Sequence, residues 1–233
     1  MNENGYAFSS YKEYGNYEKA VILRHDIDAS IDKALEMAQL ENEIGISSTY
    51  FVMLTSDHYN IFSKKNEYSL RHIINLGHKV GLHFDEAKYG FGTDLVENVN
   101  RECEILGYCI DNSVDAVSMH RPSKKTLEMN YIFGEGVSNT YSEEFFSKFK
   151  YVSDSRMHWR EDIIEIIKSG KYPQIQLLTH PFWYYERNRS MKEILFEFIN
   201  NACMERYNVQ NENMVDLGNV IKADEILKRK DIL

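Results

Sequence analysis

Apolar residues along this chain keep two rhythms. Short β-prone runs alternate with stretches in which apolar residues return every three or four positions, the spacing of one helix face. The first run is Ala20 to Leu23, which leads into Arg24-His25-Asp26-Ile27-Asp28. Residues 30–44 place Ile31, Leu35, Ala38 and Ile44 at helical spacing, and Gly45 stops that helix. Ser47 to Leu54 reads as a second strand, rich in β-branched and aromatic residues. Residues 68–76 read as a helix ended by Gly77, and His78 to His83 as a third strand. A helix over 93–106 precedes a fourth strand, Val114 to Met119, and weaker strands follow near Val137 to Tyr141 and Lys150 to Ser153. Trp159 to Ser169 reads as helix, Pro173 to Leu178 as strand, 189–206 as helix, and the polar stretch after Asn208 as a short final helix.

Strand–helix alternation predicts an α/β fold with a parallel sheet. Closed into a barrel, such a sheet carries its chemistry at the C-terminal ends of the strands. The polar candidates fall there repeatedly. Asp26 and Asp28 follow the first strand, His83 and Asp85 the third, His120 and Arg121 the fourth, and His180 the last. Scattered surface polar residues would not favour one end of each strand.

The length of 233 residues suits one domain over 1–233, and a hydrophobic share of 43% is enough for a sizeable core. Asp and Glu (36) outnumber Lys and Arg (27), so the net charge of −9 argues against a nucleic-acid partner. No segment approaches the roughly 20 apolar residues that span a bilayer. Met1 to Lys19 is polar and tyrosine-rich, without the basic start and apolar run of a signal peptide, so a cytoplasmic location is expected. Cys103, Cys109 and Cys203 have no CxxC spacing, which predicts reduced thiols rather than disulfides or a zinc ribbon.

Each candidate motif has a chemical reading and a structural one. Asp26 and Asp28, two apart past a strand end, can share one pocket, one binding a cation and the other taking a proton from water. A helix cap explains one of them, not both. His78 and His83 are five apart, so on a strand they face opposite ways. His83, at the exit, is the better ligand, and His78 the structural residue. His120 can complete an Asp-plus-two-His set that leaves a position open for water, or belong to a polar turn before a helix. Arg121 can hold a carboxylate ionised or grip an anionic substrate. Asp154 and Trp159 are a cap and a core anchor, or members of a site. His180, beside aromatics, is a general acid or a core histidine.

Taken in order, these five motifs resemble the polysaccharide deacetylases, a carbohydrate esterase family, over roughly residues 20–185. The resemblance implies a distorted (β/α)7 barrel of parallel strands and removal of N- or O-acetyl groups from sugars with a divalent metal, commonly zinc. It implies Asp26 as base and Asp28 as ligand, with Ile27 intervening where the family has adjacent aspartates. Gly77-His78-Lys79-Val80-Gly81-Leu82-His83 fits the motif that opens on a metal-binding His. The family's second ligand His falls at Ala87, so His120, or failing that Asp85, takes its place. Arg121-Pro122 matches the Arg that orients the catalytic Asp, Asp154 the Asp that holds this Arg, and Trp159 the acetyl-pocket lining. Leu178-Thr179-His180 matches the motif of the general acid.

The mechanism so implied uses Asp28, His83 and His120 on the metal and Asp26 on the attacking water. A backbone N–H near Ser123 would help with the oxyanion, and His180 would protonate the leaving amine. A soluble, nucleotide-linked or lipid-linked sugar is the expected substrate. Two other readings stand beside it. One is hydrolysis or acyl transfer on a different amide, such as a uronamide or ureide, with Arg24, Arg121 and Arg160 gripping a carboxylate or phosphate. The other is an inactive barrel that binds carbohydrate, for which Ala87 is the best support.

Overall fold

The apolar run at Ala20 forms a strand buried along its whole length, β2 (Ala20–Ile27). A strand covered on both faces is what a parallel sheet between helices requires. The computed structural model describes residues 2–90 and 94–228. Their strands are β1 (Ala7–Phe8), β2, β3 (Thr49–Val52), β4 (Lys79–Phe84), β5 (Ala116–Met119), β6 (Ser138–Asn139), β7 (Lys150–Ser153) and β8 (Gln174–Thr179). The helices are α1 (Ile31–Glu43), α2 (Lys64–Asn75), α3 (Leu95–Ile110), α4 (Lys124–Glu128), α5 (Ile163–Ser169), α6 (Met191–Asn213), α7 (Leu217–Val220) and α8 (Ala223–Lys228).

The sheet runs β6-β5-β4-β3-β2-β8-β7, and every pair is parallel. Seven strands on this path make the expected distorted (β/α)7 barrel. β1 adds a two-residue parallel pairing to β2 at Ala20 and Val21. Because β8 already pairs with those residues, β1 takes the other edge of β2, below β3.

Side chains alternate between the two faces. Ile22 of β2 points inward and packs with Phe51, Ala116, Tyr11 and Phe145 in the floor of the barrel. Val21 and Leu23 point outward, into a cluster with Ile166 and Ile167 of α5. Arg24 also points inward and donates to Thr140 Oγ1, past β6, at 2.6 Å. Gln176 of β8 reaches inward to the carbonyls of Thr140 and Phe145. Bonds from the β2–β8 flank to the β6 flank are what curl the sheet into a barrel. Gly81 of β4 faces this interior, where a Cβ would lie 2.6 Å from the Phe51 ring and 2.8 Å from the Ala116 carbonyl. Only glycine fits there.

Several boundaries differ from the sequence pattern, among them the ends of α3 at Ile110 and α6 at Asn213. α2 starts at Lys64, because Ser63 caps it and accepts from Asn66 N. Its first turn is polar and so lacks apolar periodicity. α5 starts at Ile163, where the Asp162 carboxylate accepts from the N–H groups of Ile164 and Glu165, and Trp159 precedes it. The stretch near 137–141 pairs over Ser138–Asn139 alone. β1, two residues long, has no pattern to read.

The chain divides into two compact units, 1–184 and 185–233. In the second, α6 opens on a capping box between Ser190 and Glu193, and Tyr207 donates to the Ile221 carbonyl at 3.2 Å. No helix among the described residues is long and apolar enough to cross a membrane.

Candidate active site

Arg24, Asp26 and Asp28 are spaced by two, so the end of β2 and its extension present all three on the concave face. His83, next to last in β4, lies on the same face. His120 follows β5, its N–H donating to the Phe84 carbonyl at 2.7 Å, which extends the ladder and sets His120 beside His83. His180 follows β8.

Asp28, His83 and His120 converge: one donor atom from each lies within 4.8 Å of the others. His83 Nε2 is 3.2 Å from Asp28 Oδ1 and 3.1 Å from His120 Nδ1. His120 Nδ1 is 3.5 Å from Asp28 Oδ1. Two imidazole nitrogens and a carboxylate oxygen turned toward one point suit a divalent cation, with the remaining positions open. Asp85 takes no part; its side chain accepts from Ala87 N and caps the turn after β4.

Asp26 is buried beside this cluster. Its Oδ2 accepts from Arg24 Nη2 at 2.9 Å and Ser118 Oγ at 3.2 Å, and lies 3.9 Å from His83 Nδ1. Its Oδ1 is buried and, among the described residues, has no hydrogen-bond partner. Burial pushes its pKa up, but Arg24, with His83 and His180, more than offsets that, and the carboxyl sits below its ordinary value. Burial also raises Asp28, and the hydrogen bonds of His120 and His83 outweigh it, holding Asp28 far below the usual range. Both carboxylates are therefore ionised at neutral pH, one able to bind a cation and one able to take a proton.

His180 Nδ1 is 2.6 Å from Asp154 Oδ1, and its backbone N–H donates to Asp154 Oδ2 at 3.1 Å. Its Nε2 points inward, 3.9 Å from Asp28 Oδ2. Burial lowers its pKa, whereas the Asp154 bond and the charges of Asp26, Asp154 and Asp28 raise it to a net value above the ordinary one. A histidine that keeps its proton near neutral pH can act as an acid.

Several expected roles are corrected. Arg24, not Arg121, holds Asp26. Arg24 is fully buried, bonded to Asp26, Thr140 and Ser118, so it cannot grip a substrate. Arg121 is exposed at the mouth of a neighbouring cavity, with a left-handed φ of 45°, a conformation that costs a non-glycine residue about 1–2 kcal/mol. Asp154 holds His180 rather than an arginine. Trp159 packs against the outer-face cluster under α5, not into an acyl pocket. Arg160 is exposed. The Ser123 N–H is already donated to Glu86 Oε1 at 2.5 Å. His78 is structural as expected, bonded to the Ala38 carbonyl and to Ser48.

Three contributors carry roles that the sequence reading did not assign. Ser118 braces Asp26 and Arg24, Thr140 receives Arg24, and the Tyr184 hydroxyl donates to Asp154 at 3.0 Å. Ser118 stands in β5, two residues before His120, and Tyr184 four residues after His180. Thr140 is brought in by the curl and Tyr184 by the turn after His180, and nothing local marks Thr140.

The class these features define is a parallel (β/α) barrel with an Asp–His–His cluster at the strand exits. No protein-family model matches the chain, and no curated protein sequence matches it. Solved structures do. A family 4 carbohydrate esterase from Bacillus anthracis matches at 17% identity and TM-score 0.45, over 89% of this chain and 84% of that one. The catalytic domain of a peptidoglycan N-acetylglucosamine deacetylase from Eubacterium rectale matches at 16% identity and TM-score 0.45, over 78% and 84%. A family 4 pseudoenzyme from Bacillus anthracis matches at 13% identity and TM-score 0.45; the match covers 79% of this chain and spans 60% of that one.

Proposed function

We propose that this chain is a metal-dependent hydrolase that removes an N- or O-acetyl group from a sugar. The observation that carries the reading is the convergence of Asp28, His83 and His120 between Asp26 on one side and the Asp154–His180 pair on the other. A purely structural cluster needs neither an ionised buried carboxylate with a free oxygen nor a histidine whose pKa is raised and whose Nε2 is aimed at the same point.

Asp28, His83 and His120 would hold the ion, zinc by the chemistry of this donor set. When bound, such an ion supplies Lewis-acid polarisation of a carbonyl oxygen and makes water more acidic. Asp26, its Oδ2 fixed by Arg24 and Ser118, accepts the proton of the attacking water. His180, held by Asp154, donates a proton to the leaving nitrogen or oxygen. The Arg24 guanidinium keeps Asp26 ionised before the proton arrives.

The test is elemental analysis after zinc reconstitution, together with acetate release from N-acetylated sugars. About one equivalent of metal is expected, with turnover reduced roughly 10²–10⁴-fold in Asp26→Asn and His180→Ala while the metal is retained. A protein that takes up no metal, or a His180→Ala variant with full activity, overturns the reading. Release of ammonia instead of acetate would move it to a uronamide or ureide.

A further inference from the structure

A cavity of about 500 Å³ opens beside His120. It lies between the loop after β4, the start of α3, and α4, and is lined by Ala87, Tyr89, Tyr131, His120, Arg121 and Lys125 among others. The volume falls within the range of small-molecule sites, about 300–1,000 Å³. Because His120 belongs both to the donor cluster and to this wall, a substrate whose acyl group sits at the cluster can extend into the cavity.

Two cations, Arg121 and Lys125, and two acids, Asp85 and Glu86, line it, and the four differ in what they touch. Neither the Arg121 nor the Lys125 side chain has an ion pair or hydrogen bond among the described residues, although acidic residues outnumber basic ones by 36 to 27. The two acids of the same wall are already engaged by protein donors. Asp85 accepts from Ala87 N, and Glu86 accepts from Ser123 N and the Thr126 hydroxyl. The left-handed φ at Arg121 is held immediately after His120, where strain of this kind marks a position used for something besides packing.

We infer that this cavity is a subsite for an anionic group, a carboxylate or a phosphate, carried by the acylated sugar and held by Arg121 and Lys125. The guanidinium fork suits either oxyanion by paired N–H···O bonds, and the ammonium adds a second charge. The inference rests on the acetyl-sugar reading above. It sharpens the substrate from any acetylated sugar to one bearing an acid near the acetyl group.

The test is calorimetric binding to the metal-free protein, with three probes: N-acetylglucosamine, N-acetylmuramic acid for the carboxylate, and N-acetylglucosamine 6-phosphate for the phosphate. At least one anionic sugar should bind about tenfold to a hundredfold tighter than the neutral one, the worth of charge-assisted hydrogen bonds. That preference should weaken as ionic strength rises. It should vanish in Arg121→Gln/Lys125→Met, whose exposed positions leave the fold intact by circular dichroism. Equal affinities, a preference that survives the double substitution, or no binding of either anion at millimolar concentration would overturn the subsite. Acetate release by the zinc-loaded protein separates the two ideas. A binding preference without acetate from any sugar defeats the reaction and leaves the subsite. Acetate release without any preference defeats the subsite and leaves the reaction.

Discussion

Arg24 and Asp26 form a fully buried ion pair two residues apart on one strand. Removing one partner from such a pair leaves an uncompensated charge and costs about 3–5 kcal/mol. Arg24→Gln should therefore lose stability on that scale in urea unfolding, and Arg24→Gln/Asp26→Asn should recover part of it. A loss under about 1 kcal/mol in the single variant would show that the pair is not what holds Asp26. The Asp154–His180 pair makes a different prediction. Asp154 lifts the His180 pKa against burial, so the proton is retained to higher pH. Without the Asp154 charge that pKa falls, and the alkaline limb of the pH–rate profile in Asp154→Asn should move to lower pH. An unmoved limb with reduced turnover would assign Asp154 to packing.

At the scale of elements, β2 and β8 must stay in register for Asp26 and His180 to face one point. His25 and Thr179 are paired across these strands, and their side chains bond at 2.6 Å on the outer face. His25 Nε2 lies 2.9 Å from Glu41 of α1, which also accepts from Ser48 and Tyr50. This network ties β2, β3, β8 and α1 together directly behind the site. Burial pushes the Glu41 pKa up, but His25 and the three hydrogen bonds pull it to a net value below the ordinary 4.5. A group with a depressed folded pKa stabilises the fold above its unfolded value and loses that contribution as pH falls through its folded one. Glu41→Gln should therefore be less stable than the parent protein at neutral pH, and the gap should narrow below about pH 4.5. Denaturant melts at both pH values measure it; a gap that widens in acid would contradict the assignment.

For the whole molecule, a metal that binds only the folded state raises stability by mass action, about 2.7 kcal/mol when free metal is a hundred times Kd. Zinc should raise the melting temperature of the parent protein and of Asp85→Ala, whose side chain only caps a turn. It should do little for His120→Ala, which lacks a donor of the cluster. The reverse pattern would transfer the third donor to Asp85.

Which residues sit at strand exits was legible in the sequence, because strand position follows from local hydrophobic runs and from period-two alternation. That alone placed Asp26, Asp28, His83, His120 and His180 at one end of the sheet, with His78 turned away from His83. The parallel order of the strands followed from the helices between them. Which of these residues touch was decided by the tertiary structure. The curl of the sheet brings Thr140 to Arg24, and the stacking of strand ends brings His120 to His83. The same geometry gives Asp26 to Arg24 instead of Arg121, and Asp154 to His180. Trp159 goes to the outer face because α5 begins at Ile163, after the indole. Pairings of this kind depend on distances between residues far apart in the chain, and periodicity carries no information about them.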